Sequence, residues 1–226
     1  MHDSLDFPKR CAEVCLKYGK GCSEVPSRAL DIGCAVGRSS FELAAHYEEV
    51  IGIDYSQNFV QTCNYLKRTT KMFYSVVDEG DIKTKLLAKI PVHTDTKRVS
   101  FEQGDACQLR SDLGQFGCVL AANLICRLYE PLKFLDRLGD LVAVGGILVI
   151  TAPYTWLPEF CDKAKWLGGY YTTSGDPVPG IAALKIFLGP RFDLLESSDM
   201  PFFIRETARK NQWSVANLTV WKRKST

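Results

Sequence analysis

Short runs of consecutive apolar residues alternate along the chain with segments whose apolar residues recur every three or four positions. Arg28–Ile32, Glu49–Ile53, Val99–Gln103, Gly117–Ala122 and Ile147–Thr151 read as strands. The second, EVIGI, is nearly continuous in apolar character, which marks a strand covered on both faces. Helical spacing fills the gaps. Residues 7–19 place Phe7, Cys11, Val14, Cys15 and Tyr18 on one face, and Gly19 and Gly21 end the pattern. Such a helix lies either over a bound cofactor or on the sheet edge, and the pattern leaves both open. Residues 39–46 offer Phe41, Leu43 and Ala44; residues 56–68 turn Phe59, Val60, Cys63 and Leu66 inward; residues 131–141 are amphipathic. Strand and helix in alternation predict a mostly parallel sheet with helices on both faces. Phe192–Ser198 and Trp213–Trp221 read as a closing antiparallel pair, with 200–210 as their loop. Residues 69–97, rich in Lys, Asp and Thr, interrupt the alternation. They read as a surface insertion, either a hairpin or a broken helix.

Composition narrows the class. A chain of 226 residues with 46% apolar and 24% charged residues suits one globular domain, residues 1–226. A net charge of +2 gives no reason to expect nucleic acid as a partner, and the longest basic run is Lys222-Arg223-Lys224 at the tail. No stretch approaches the roughly 20 apolar residues of a membrane span, and Met1-His2-Asp3-Ser4 opens no signal-peptide core. The nine cysteines contain no CxxC pair, and most fall inside predicted strands and helices. That usage predicts a reducing, cytoplasmic setting without disulfides. Cys11 and Cys15 lie one helical turn apart, but no histidine or acid completes a metal site, so no metal is expected.

The chemistry gathers at the end of the first strand. Asp31-Ile32-Gly33-Cys34-Ala35-Val36-Gly37-Arg38 is an acid, a glycine turn and a helix start, the local plan of a nucleotide-binding α/β unit. A P-loop is excluded because no Gly-Lys-Ser/Thr follows. In a dinucleotide fingerprint, Ala35 would hold the place of the middle glycine. Asp54 ends the second strand, about 20 residues beyond the turn, where an acid accepts hydrogen bonds from ribose hydroxyls. That supports an adenosine-type cofactor without choosing among them. Gly104-Asp105-Ala106 follows the third strand, and Gly145-Gly146 precedes the fifth.

Acid-x-Gly-x-x-x-Gly, then Asp54, Gly-Asp-Ala and a Gly-Gly strand, in this order over residues 28–152, resemble the class I S-adenosylmethionine (SAM) dependent methyltransferases. The resemblance implies an α/β, Rossmann-like fold: a mostly parallel seven-stranded sheet with helices on both faces and an antiparallel C-terminal strand. It implies SAM as cofactor, with S-adenosylhomocysteine as product, and a small-molecule acceptor. Asp31, Gly33 and Gly37 would surround the methionine end, Asp54 the ribose, and Asp105 with Ala106 the adenine, and Ala35 and Tyr55 would also touch the cofactor. The family places substrate-facing residues after the fourth strand, where Asn123 and Arg127 stand.

The last third is dense in aromatic residues. Tyr154, Trp156, Trp166, Tyr170 and Tyr171 leave the carboxyl end of the fifth strand, and 153–180 reads as a substrate lid. A narrower resemblance adds to this. The runs ALDIGCAVGRSS (29–40), ANLICRL (122–128), TAPYTWL (151–157) and IRETARKNQWSVA (204–216) are similar to the C-terminal methyltransferase domain of the ovothiol-biosynthesis (OvoA) family. That similarity implies methyl transfer to an imidazole nitrogen of 5-thiohistidine (4-mercaptohistidine). The catalytic and acceptor-binding residues expected are Asn123 beside the reacting nitrogen and the cofactor, Tyr154 and Trp156 as walls of the imidazole, Arg127 and Tyr170 beside them, and Arg205 on the amino-acid carboxylate. The bifunctional family members also carry an iron-dependent sulfoxide synthase, which His2, His46 and His93 cannot supply here. The chain is therefore an excised domain of such a protein or a standalone relative. Two alternatives stay open: a methyltransferase for another small molecule or histidine derivative, and a non-catalytic SAM-binding regulatory module.

Overall fold

The computed structural model describes residues 4–19 and 24–225. The predicted apolar runs form the middle of one seven-stranded sheet. β1 (Arg28–Ile32), β2 (Glu49–Asp54), β5 (Val99–Gln103), β6 (Phe116–Ala122) and β7 (Val142–Ala152) are parallel, and β10 (Phe192–Arg205) and β11 (Asn211–Arg223) close the sheet antiparallel. The order is β10-β11-β7-β6-β1-β2-β5. The chain builds outward from β1 through β2 to β5, then returns to place β6 and β7 on the other side. The switch point is therefore the β1–β6 boundary, where open α/β sheets bind ligands.

Each face of the sheet has its own core. One holds α1 (Phe7–Gly19), α2 (Arg38–Leu43) and α3 (Gln57–Thr69), with Cys11, Cys15, Phe41, Val60 and Cys63 buried against Leu120 and Val149. The other holds α4 (Pro131–Leu141) and α5 (Gly180–Leu188), with Phe134, Leu138 and Leu184 against Val119 and Ile150. Of the two places left open for α1, it takes the sheet side, reaching the edge strand β10, and none of its residues lines the cavity over the strand ends. It packs on the sheet face against α2, β6 and β7, and Ser39 Oγ donates to the Pro8 carbonyl at 2.9 Å. Ser56 caps α3 as its sequence position suggests, its side chain accepting from Phe59 N.

Two elements, the segment 200–205 and α5, differ from the sequence pattern, and residues 69–97 take the hairpin alternative it left open. The segment read as the loop 200–210 is strand as far as Arg205, because Met200 and Phe202 find apolar partners on α1: Phe202 lies 5.0 Å from Phe7, ring to ring. Residues 69–97 contain the hairpin β3 (Lys71–Glu79) and β4 (Ile82–Lys89), which forms a sheet of its own. Its flank is tied to α2 by His93 Nε2 at 2.8 Å from Glu42. α5 has no counterpart in the sequence reading, because its run GIAALKIFL is apolar on every side and shows no helical stripe. Beside it, β8 (Tyr170–Tyr171) and β9 (Pro177–Val178) form a two-residue ladder. No helix among the described residues is long and apolar enough to cross a membrane. The eight cysteines among the described residues are buried and free of disulfides.

Candidate active site

The turn after β1 is built from backbone. Gly33 (φ 76°), Ala35 (φ 47°) and Gly37 (φ 83°) all take left-handed conformations, which reverse the chain within five residues. Gly33 N and Cys34 N both donate to Ile53 O, so the turn is pinned to the end of β2. Asp54 completes the pinning: its Oδ2 accepts from Ala35 N at 2.9 Å and its Oδ1 from Ser56 N at 2.8 Å. Each carboxylate oxygen keeps a further accepting lone pair.

A cavity of about 490 Å³ opens over these strand ends at the switch point. Gly33, Asp54 and Tyr55 line it from β1 and β2, and Gly104, Asp105 and Ala106 from the end of β5. Leu124, Arg127, Leu128 and Tyr129 form the wall after β6, and Phe160 reaches in from the segment after β7. Asp105 is held much as Asp54 is, its Oδ1 accepting from Cys107 N at 2.8 Å and its Oδ2 from Tyr129 Oη at 2.7 Å. The pairing with Asp105 and desolvation push the Tyr129 phenol above its ordinary value, so it stays a donor. A larger depression, about 880 Å³, lies between α3 and β3 around Asn58, Tyr65 and Met72, and holds none of the predicted site residues.

Gly33, Asp54, Tyr55, Asp105, Ala106 and Arg127 thus meet in one cavity. The remaining predicted residues stand elsewhere. Asp31 is buried beneath the turn, 2% exposed, and accepts from Ser40 Oγ at 2.6 Å. Gly37 sits where α2 begins, and a Cβ there would meet the Phe101 ring at 2.9 Å. Asn123, left-handed at φ 51°, is bound through its backbone and side chain to Thr151. Tyr154, at φ 50°, packs on Gly180 and donates its hydroxyl to Asn217 Oδ1 at 3.0 Å. Trp156 is 7% exposed, belongs to the core, stacks on Trp166 at 6.3 Å and is not among the residues lining the 490 Å³ cavity. Tyr170 lies exposed on β8. Arg205 is at the tip of the β10–β11 hairpin, tied to Asp78 Oδ1 at 3.3 Å and to Thr207 O at 3.3 Å. Leu124, Leu128, Tyr129, Phe160 and Asn217 stand at or beside the site without a sequence signal that singles them out. Leu124 and Leu128 were marked only by their place after β6, and a lone Phe160 in a polar stretch carries no pattern.

Asp31 gives a testable pH dependence. Burial is the main cause lifting its carboxyl from 3.8 to about 6, with the charge of Asp54 adding to the rise and the Ser40 bond opposing it. The folded chain therefore keeps a proton that the unfolded chain has lost, and this group's contribution to stability falls as pH rises from about 4 to 6. That rise corresponds to about 3 kcal/mol. Asp31→Asn should remove this part of the pH dependence, read as urea midpoints at pH 4.5 and 7.5. An unchanged difference between the two midpoints would contradict the assignment.

Comparison with known proteins gives the arrangement its context. Residues 30–150, more than half of the chain, match the family model described as methyltransferase domain. No curated protein matches. Among solved structures, the YcgJ protein of Bacillus subtilis aligns with TM-score 0.62 at 11% identity, covering 96% of this chain and 99% of its own. The N-methyltransferase NodS of Bradyrhizobium japonicum, solved with S-adenosylhomocysteine, aligns with TM-score 0.56 at 15% identity, covering 97% and 89%. The magnesium protoporphyrin IX methyltransferase of Synechocystis, solved with SAM, aligns with TM-score 0.59 at 14% identity, covering 96% and 79%. At such identities these likenesses speak for the fold. The family match covers the glycine turn, Asp54, Asp105 and the wall after β6, and on it the chain belongs to the methyltransferase domain family.

Proposed function

We propose that this protein transfers a methyl group from SAM to an imidazole nitrogen of 5-thiohistidine, the step that yields ovothiol. The observation that carries the cofactor is the cavity with Asp54 and Asp105 on one wall, both oriented by hydrogen bonds and both with accepting capacity left. That set of acceptors and apolar walls fits a nucleoside, with Asp54 placed to accept from ribose hydroxyls, Asp105 from an exocyclic amine, and Ile53, Ala106 and Leu128 for a flat ring. It does not suit a pyrophosphate, which would face both carboxylates. A sulfonium cofactor brings its own positive charge instead, and when bound it supplies an activated methyl group.

The acceptor is supported by the runs 122–128, 151–157 and 204–216, which are similar to the ovothiol family. A neutral imidazole nitrogen is already nucleophilic, and a ring thiolate adds electron density. The protein then needs to position the ring and exclude water more than to supply a base. Tyr154, which stands outside the cavity, would serve that role by position, since burial holds its phenol above the ordinary value and its hydroxyl donates to Asn217 Oδ1. We place the reaction in the cytoplasm, where the buried free cysteines stay reduced, and assign 153–180 the role of acceptor lid. The 5-thiohistidine would come from an iron-dependent sulfoxide synthase, on this chain's continuation or on a separate protein. The test is mass-detected methylation of 5-thiohistidine against histidine with SAM present. Methylated product from the thiol compound, with little or none from histidine, is expected. Binding of SAM without turnover of either would remove the acceptor assignment.

A further inference from the structure

We propose that Arg127 is the anchor for the α-carboxylate of the acceptor, an inference that rests on the methyltransferase reading above. Among the residues lining the 490 Å³ cavity, Arg127 is the only Lys or Arg. The short turn Ile125–Arg127 carries it, in the loop that leaves β6 at the switch point. Its guanidinium carbon lies 4.6 Å from the centroid of the Phe160 ring, and Nη1 donates to the Thr155 carbonyl at 3.2 Å. Both partners belong to the segment after β7, so the group is held in place from one side. Among the described residues no carboxylate forms an ion pair with it.

A guanidinium stacked on an aromatic face, with one N–H spent and no counter-ion, still offers a planar fork of donors. That fork matches a carboxylate in bidentate geometry. The cavity's own acids do not fill the place: Asp54 and Asp105 come from β2 and β5, and their side chains are engaged by Ala35, Ser56, Cys107 and Tyr129. Charge is thus divided across the cavity, with two carboxylates on the nucleoside side and one cation on the wall after β6. An amino-acid acceptor brings one carboxylate, and the cation is where it belongs. Arg205, the other arginine considered for this role, already spends its charge on Asp78.

The test compares the wild type with Arg127→Gln, using 5-thiohistidine and its decarboxylated analogue as acceptors and calorimetry for SAM. Hydrogen bonds to a charged group are worth roughly 1.5–3 kcal/mol, about 10- to 100-fold. We expect KM for 5-thiohistidine to rise by about that factor with kcat within about threefold, the pattern of lost uniform binding. KM for the decarboxylated analogue and the affinity for SAM should stay at wild-type values, and Arg127→Lys should recover part of the loss. A fall in SAM affinity, or an equal rise in KM for both acceptors, would overturn the proposal, because Arg127 would then serve the cofactor's own carboxylate or only the wall. If the wild type methylates neither compound, the acceptor reading fails by itself. The anchor is then read from binding of histidine against histamine with S-adenosylhomocysteine present. A wild-type preference for histidine that Arg127→Gln abolishes upholds it, and equal binding of the two by the wild type overturns it.

Discussion

Replacing Asp54 by alanine is expected to weaken SAM binding by at least about 100-fold, measured by calorimetric titration with SAM and with S-adenosylhomocysteine. Two losses combine. The carboxylate's free lone pairs are the acceptors placed for ribose hydroxyls, and a charge-assisted bond of this kind is worth roughly 1.5–3 kcal/mol. The same carboxylate also organises the turn from behind, taking Ala35 N at 2.9 Å and Ser56 N at 2.8 Å. Without it, Ala35 keeps its left-handed φ of 47° with nothing accepting from its N–H. Asp54→Asn separates the two contributions. Its carbonyl oxygen can keep one backbone bond while its amide can only donate, so an intermediate loss of about tenfold is expected. Asp54 is partly exposed at the rim of the cavity, so the melting temperature should move little in either variant. An Asp54→Ala protein that binds SAM as tightly as the wild type would remove the adenosine-type cofactor from this cavity.

The residues whose place in the fold was legible from the chain are those fixed by local rules. Asp54 and Asp105 end apolar runs, and a strand in an open parallel sheet delivers its last residue to the ligand side whatever the rest of the fold does. Gly33 and Gly37 were legible because few other residues take a left-handed turn readily. What escaped depends on contacts between distant segments. The place of Arg205 is decided by Asp78, 127 residues away in the chain, and by the meeting of two hairpins, where Ala208 N donates to Val77 O at 3.1 Å. Aromatic density after β7 marked a segment that covers something, but density does not tell a core side chain from a cavity wall. Trp156 went inward onto Trp166, while Phe160 faces the cavity under Arg127. The strand at 200–205 was hidden by Pro201 and became visible only through the apolar face of α1 that receives Met200 and Phe202.

The two glycines of the turn should respond differently to the same substitution, because a Cβ would enter two different surroundings. At Gly37 it would stand 2.9 Å from Cε1 and Cζ of Phe101 and 3.1 Å from Cys63 Sγ. Phe101 is packed edge-on to Phe41 at 5.1 Å and cannot retreat. Left-handed backbone costs an L residue roughly 1–2 kcal/mol, and overpacking a core roughly 1–3 kcal/mol more. Gly37→Ala should therefore lower the melting temperature by about 5–15 °C in a domain of this size. At Gly33 the three atoms nearest to a Cβ all belong to the Leu124 side chain, the closest at 3.0 Å, and that side chain lines the cavity. It can rotate, but into the space the cofactor needs. Gly33→Ala should cost little beyond the backbone term, a few degrees, while SAM affinity falls by about tenfold or more. A double-mutant cycle decides the matter. Phe101→Leu should recover part of the stability lost in Gly37→Ala and none of that lost in Gly33→Ala. Leu124→Ala should restore part of the SAM affinity of Gly33→Ala and leave Gly37→Ala as unstable as before. If both alanine variants lost stability alike and kept their affinity, the turn would be a structural corner and Leu124 would not border the cofactor.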